Sequence, residues 1–215
     1  MTLKKNSLWL LIGYLVIVSL FSLISVFFKT SSMLYTLLSL TAVVGTLILL
    51  YFNYQKARYR NWLEKSPRPW SISLLIVLGG LLAILVAQRV CLWIEANWLH
   101  QSIVSQNTAA MLTIISHYPI YLLYVVLAAP IMEELIFRKV LFGNLITMVS
   151  PMLAALISCL LFSIVHADGH YLTYTAIGAI LCLIYYLTGR IQASMLTHVL
   201  MNLAIVLLNI WSLLK

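Results

Sequence analysis

Apolar runs of about 20 residues, separated by short polar breaks, recur along the whole chain. A run of that length crosses the roughly 30 Å hydrocarbon core of a bilayer as a single helix. The pattern predicts seven spans, over about 8–28, 33–52, 71–94, 118–148, 151–167, 171–188 and 192–213. The fold class expected is all-α, a polytopic membrane protein. The fourth run is too long for a simple crossing. It contains Pro130 and turns amphipathic after Arg138, so part of it is expected at the interface or strongly tilted. The first run, Leu8 to Phe28, is too long for the core of a signal peptide, and no small-residue cleavage site follows. It reads as an uncleaved first span.

Composition closes off the soluble alternative: 63% of the 215 residues are hydrophobic, 8% are charged, and mean hydropathy is +1.04. A net charge of +8 would ordinarily raise nucleic acid as a partner. Here the basic residues fall at the ends of apolar runs, where the positive-inside rule and anionic lipid put them, so the partner is the lipid bilayer and no nucleic acid is expected. The polar segment 53–70 holds Lys56, Arg58, Arg60, Lys65 and Arg68 against Glu64 and is assigned to the cytoplasm, with Lys4 and Lys5 in agreement. Segment 96–117 has no Lys or Arg and is assigned outside. Arg138, Lys139 and Arg190 then fall inside and Lys215 outside. Trp62, Trp70, Trp93 and Trp98 sit near span ends, as in an aromatic belt. Cys91, Cys159 and Cys182 lie within apolar runs and read as small buried hydrophobes. The first two spans carry no ionisable residue in their interiors. Residues 1–70 are therefore read as scaffold spans with a basic loop, and 71–215 as the working core.

The chain has only five acidic residues, and two of them, Glu133 and Glu134, are adjacent within an apolar run. A charge at bilayer mid-depth costs roughly 2.5–3.5 kcal/mol even on the lenient insertion scale. Three polar clusters lie in apolar helices, each with ends at i,i+4 on one face: Glu134 with Arg138, beside Glu133; Phe162 with His166; His198 with Asn202. Glu134 precedes Arg138 in the favourable order for a helix ion pair. Glu133, rotated by about 100°, is the less satisfied carboxylate and the candidate general base. The alternative is a Glu–Glu–Arg network that only locks helices together. The break at Val149-Ser150-Pro151 makes an antiparallel hairpin. Glu133 lies 17 residues before Ser150 and His166 lies 16 after it, so the two should come level. His198 and Asn202 can supply two donors to a developing oxyanion, or interhelical hydrogen bonds.

Glu-Glu-x-x-x-Arg, Phe-x-x-x-His and His-x-x-x-Asn, in that order and in separate hydrophobic helices, resemble the CPBP family. This family comprises type II (Rce1-like) CAAX prenyl endopeptidases and the bacteriocin-processing or bacteriocin-immunity proteins also called Abi. The likeness covers about 120–205. It implies a membrane-embedded endopeptidase of the bacterial plasma membrane, N-terminus cytoplasmic, acting on a peptide or membrane-protein substrate. In it Glu133 and His166 activate a water, His198 and Asn202 stabilise the oxyanion, and Glu134 joins them. Arg138 and Phe162 support the site. The family is often labelled a metalloprotease, and Glu133, His166 and His198 match a catalytic Zn2+ site in type and count. Set against zinc, the apolar neighbours of both histidines offer no side-chain acceptor, helical carbonyls are engaged, and Arg138 competes for Glu134, the one spare carboxylate nearby, so a water activated without tightly bound metal is expected.

Other protease chemistries lack their residues. There is no His-Glu-x-x-His and no Gly-x-Ser-Gly, and Asp168 is the only aspartate. A non-catalytic immunity or scaffold protein is the second reading, and a proton-coupled transporter the third. Simple topology separates His166 from His198 by a full crossing. Their convergence is expected to need a strongly tilted sixth span, a re-entrant segment over 167–173, or a late start of the last helix near Ser194. Asp168 and His170 read as loop residues, and His100 and His117 as solvated.

Overall fold

A computed structural model describes residues 5–56, 59–102 and 105–213, and all regular structure among them is helical. Lys4, Arg58 and Lys215, used above for orientation, lie outside the described residues, as do the side chains of Lys5 and Lys56. The helices are α1 (Lys5–Phe27), α2 (Leu34–Tyr51, continued by a π turn, Phe52–Lys56), α3 (Trp70–Trp98) and α4 (Gln106–His117). The next, α5, is a run of four pieces: Leu123–Ala128, Ala129–Glu133, Glu134–Phe142 and Gly143–Leu145, the first and third with π geometry. Then follow α6 (Pro151–His166), α7 (Tyr171–Thr188) and α8 (Ile191–Leu213).

Five helical stretches are long and apolar enough to cross a membrane: Ser7–Phe27, Leu34–Gln55, Trp70–Trp98, Tyr171–Thr188 and Ile191–Asn209. They match five of the expected spans. The sixth corresponds to α6, apolar but only 16 residues long. The other expected span, 118–148, is α5. Its second half is packed inside the bundle: Glu134 to Val140 and Phe142 are all buried. Charge enters the bundle there because partners wait inside. Arg138 faces Glu134, and Lys139 Nζ donates to both oxygens of Glu64, at 3.1 and 2.9 Å. The segment 96–117 also departs from the expected loop. The end of α3 and all of α4 are helical, with the Ser105 hydroxyl capping α4 by accepting from Thr108 N–H.

Helices α1 and α2 form a hairpin against α5, while α7 packs between α3 and α6, and α8 lies against α3, α5 and α7. Gly178 lets α7 close on α6, since a Cβ there would stand 3.3 Å from Arg138 Nη2 and from the Cα of Cys159. Gly189 turns the chain from α7 to α8 at φ +63°, a left-handed conformation that glycine adopts without strain. Leu15, Leu75, Leu82 and Leu78 are exposed on the bundle's outside, as a lipid-facing surface requires. All three cysteines are free and buried, and Trp62, Trp70, Trp93 and Trp98 are exposed near helix ends.

Arg68, Arg190 and Lys139 meet at the end of the bundle where the 59–69 loop packs. Arg68 Nε donates to the Leu187 carbonyl, Arg190 Nε donates to the Arg68 carbonyl, and the Arg190 guanidinium lies over Trp70. The Glu64–Lys139 pair ties the same loop to α5, and Asn61 donates to the Tyr185 hydroxyl on α7.

Candidate active site

The hairpin of α5 and α6 has the expected register. Phe137 meets Phe162 edge-on at 5.3 Å, one helical step from Glu133 and one from His166. Ser158 on α6 also donates to the Phe137 carbonyl at 2.7 Å. The π geometry of α5 on either side of Ala129–Glu133 marks a local widening, a feature that concentrates at functional sites. Pro130, which has no N–H to give the ladder, sits inside it.

A cavity of about 390 Å³ opens between the helices, and Glu133, Phe162, His166, His198 and Asn202 all line it. Its other walls include Tyr14 of α1 and Tyr124 of α5. Glu134 and Arg138 do not line it; they stand behind it. Glu134 is fully buried and accepts from His198 Nδ1 at 2.9 Å and from the Ser194 hydroxyl. Arg138 Nη1 lies 3.2 Å from the same carboxylate. Its guanidinium also covers the face of Phe162, 4.2 Å from the centroid, a stacking that in a dry site adds about 2 kcal/mol. Phe162 in turn touches His166 at 4.5 Å and His198 at 6.0 Å. It is the packing centre on which both imidazoles rest.

Glu133 differs from its neighbour. Its side chain keeps 22% exposure, and its partner is His198, with Nε2 3.8 Å from the carboxylate. His198 therefore stands between two carboxylates, pinned by Glu134 on one nitrogen and turned towards Glu133 on the other. His166 is stacked on Tyr174, with ring centroids 3.9 Å apart, and its Nδ1 donates to the Phe162 carbonyl at 2.8 Å. That leaves His166 Nε2 as the unprotonated nitrogen of the neutral ring. Asn202 gives one amide hydrogen to the Val125 carbonyl at 2.9 Å, and the other remains available.

His166 and His198 line one cavity. The last helix does not start late, since α8 begins at Ile191, and His198 lies seven residues into it, about 10 Å along its axis. The shortage of acceptors held against zinc also does not hold. The Phe162 carbonyl serves His166 and the Glu134 carboxylate serves His198, the outer contacts that metal-binding histidines use. The donor types thus suit zinc, but the placement does not gather them. Among the described residues no three His, Cys, Asp or Glu side chains converge as an ion would require.

Spacing does not select Glu95, Ser105, Tyr174 or Ser194. Scarcity of acids singles out Glu95 as well as it does Glu133, and Ser194 shares the i,i+4 face of His198. Asp168 and His170 are more than loop residues. Asp168 accepts from the Ser105 and Tyr174 hydroxyls, and His170 is buried against Glu95. His100 and His117 are exposed, as expected.

The chain is similar in sequence to known membrane proteases. A family model described as "Type II CAAX prenyl endopeptidase Rce1-like" matches residues 115–204. The chain is 32% identical over 178 residues to the Bacillus subtilis protein named "Putative membrane peptidase YdiL", a match that covers 82% of this chain and 72% of that protein. It is 28% identical over 181 residues to "Membrane-embedded CAAX protease MroQ" of Staphylococcus aureus, covering 80% of this chain and 72% of the relative. No solved structure matches.

Proposed function

We propose, from the premise that this chain belongs to the CPBP family of Rce1-like membrane proteases, that it hydrolyses peptide bonds with a water activated by Glu133 and His166. The chain is a membrane protease and a multi-pass integral membrane protein. The observation that carries the finer reading is the shared cavity, lined by Glu133, His166, His198 and Asn202, with Glu134 and Arg138 fixed behind it.

In this scheme a water in the cavity gives its hydrogen bonds to Glu133 and to His166 Nε2, both acceptors. Its oxygen attacks the scissile carbonyl carbon as Glu133 takes a proton. The carbonyl oxygen becomes an oxyanion, met by the second amide hydrogen of Asn202 and by His198 Nε2–H when that ring carries both protons. Glu134 holds His198 through Nδ1 throughout and acts as a positioning residue. The C–N bond then breaks, the proton on Glu133 passes to the leaving amine, the remaining water proton passes to His166 Nε2, and a carboxylate is released. No step is routed through a metal.

The substrates on this reading are peptides or membrane-protein segments that reach the cavity from the bilayer. The protein is assigned to a bacterial plasma membrane with its N-terminus cytoplasmic, supported by the basic residues gathered at one end of the bundle. Cleavage of a peptide library by the reconstituted full chain, read by mass spectrometry, tests the reading. The library includes leader peptides and prenylated peptides with CAAX termini. Cleavage that Glu133→Gln leaves at full rate would sink it.

A further inference from the structure

The cavity has a second polar wall, away from the Glu133 end. His170 lines it, is 1% exposed, and its Nε2 is buried without a hydrogen-bond partner. The other nitrogen is firmly held, with Nδ1 2.9 Å from Glu95 Oε2. Glu95 is fully buried and also accepts from Leu172 N–H at 2.7 Å, Thr173 N–H at 3.1 Å and the Thr173 hydroxyl at 2.6 Å. Those amides form the first turn of α7, so the carboxylate from α3 caps that helix from outside its own sequence. Four donors fill its lone pairs. Glu95 thereby fixes both the ring plane and the tautomer of His170, with the proton on Nδ1 and the lone pair on Nε2, a buried atom of a residue that lines the cavity. A buried acceptor held this rigidly and left unmatched is costly unless something completes it. Helix capping accounts for Glu95 but not for a histidine: any donor at the Nδ1 position would serve Glu95 equally well.

We infer that His170, oriented by Glu95, is a substrate-binding subsite that accepts a main-chain N–H of the peptide lying in the cavity. The inference rests on the peptidase reading for the identity of the ligand. The peptide main chain fits for two reasons. It carries an N–H at each residue, and His170 lies four residues after His166 and lines the same cavity. A carboxylate or other anion fits poorly, since Asp168 lies two residues away and its Oδ1 accepts from the His170 N–H.

The discriminating variant is His170→Asn. The introduced amide stands where Nδ1 stands and can still donate to Glu95, but nothing replaces Nε2. Peptides from a random dodecamer library are selected on the Glu133→Gln full chain in nanodiscs, and their affinities are measured by fluorescence anisotropy. Each selected peptide is then N-methylated one position at a time. The expected result is one position where methylation weakens binding about tenfold with His170 present and has little effect in the His170→Asn protein, the substitution itself costing about tenfold. Thermal stability of His170→Asn should stay near the parent's, while His170→Ala, which strips Glu95 of a partner, should be less stable. An unchanged methylation profile in a folded His170→Asn protein overturns the subsite, whether or not the wild type cleaves. Peptides that bind through His170 yet are never cut by the wild type refute the peptidase reading alone. Failure of any peptide to bind refutes both.

Discussion

At the scale of single residues, the two adjacent glutamates divide the work by what surrounds them. Glu134 has two hydrogen-bond donors, an ion pair with Arg138 and no exposure, whereas Glu133 faces the cavity with one loose partner. Glu133→Gln, nearly isosteric, should fold and melt like the parent and lose at least about 100-fold in turnover, the lower range for removal of a general base. Glu134→Gln should lose activity too, but with a drop in stability on the order of 3 kcal/mol, because it leaves Arg138 charged and unpaired in the bundle. Thermal melts of both variants, beside turnover, separate the roles; equal stabilities would contradict the division. Metal belongs at this scale as well. The nitrogens of His166 and His198 that face the cavity suit zinc, but no three ligands converge among the described residues. Purified active protein should therefore carry less than stoichiometric zinc by elemental analysis and keep its rate after dialysis against a chelator. Activity lost on chelation and restored by zinc would overturn this.

At the scale of elements, much of the site was legible because membrane helices are regular. The i,i+4 spacings put each cluster on one face, and the length of the α5–α6 hairpin brought Glu133 and His166 to one cavity through the contact of Phe137 with Phe162. What spacing could not supply was contact between helices distant in sequence. Glu134 reaches His198 across 64 positions, and Glu95 reaches His170 across 75. Neither follows from a periodicity. The amphipathic turn after Arg138 shows the same limit: periodicity does not reveal that Lys139 is buried against Glu64 from the loop before α3. That pair permits a test of how the loop is fastened. Lys139→Met and Glu64→Gln each strand a buried charge and should lower stability by about 3 kcal/mol. The double variant should recover most of that loss, since a buried pair is worth little net but costly to break. Additive losses would mean the two residues act on different contacts.

At the scale of the molecule, the polar site survives in a bilayer because the helices bury it and turn leucines outward, so the charges behind the cavity are answered inside the bundle. The first two helices take part in this enclosure. Tyr14 of α1 lines the cavity, Phe21 packs edge-on against Tyr124 at 5.6 Å, and Tyr35 of α2 meets Tyr121 at 5.5 Å. On the proposed function, these contacts would close one wall of the cavity, and water exclusion there would strengthen each electrostatic contact the chemistry uses. The consequence can be measured by splitting the chain between residues 56 and 59, which leaves Asn61 and Glu64 attached to the larger part. The larger fragment alone retains every residue assigned to the reaction, yet its cavity lacks one wall, and it should turn over peptides at least about tenfold more slowly than the intact protein. Co-expression of the 1–56 fragment should restore the rate, and Tyr14→Ala in that fragment should restore it only in part. If the larger fragment alone works at the full rate, the first two helices serve insertion or stability and the wall they form has no part in catalysis.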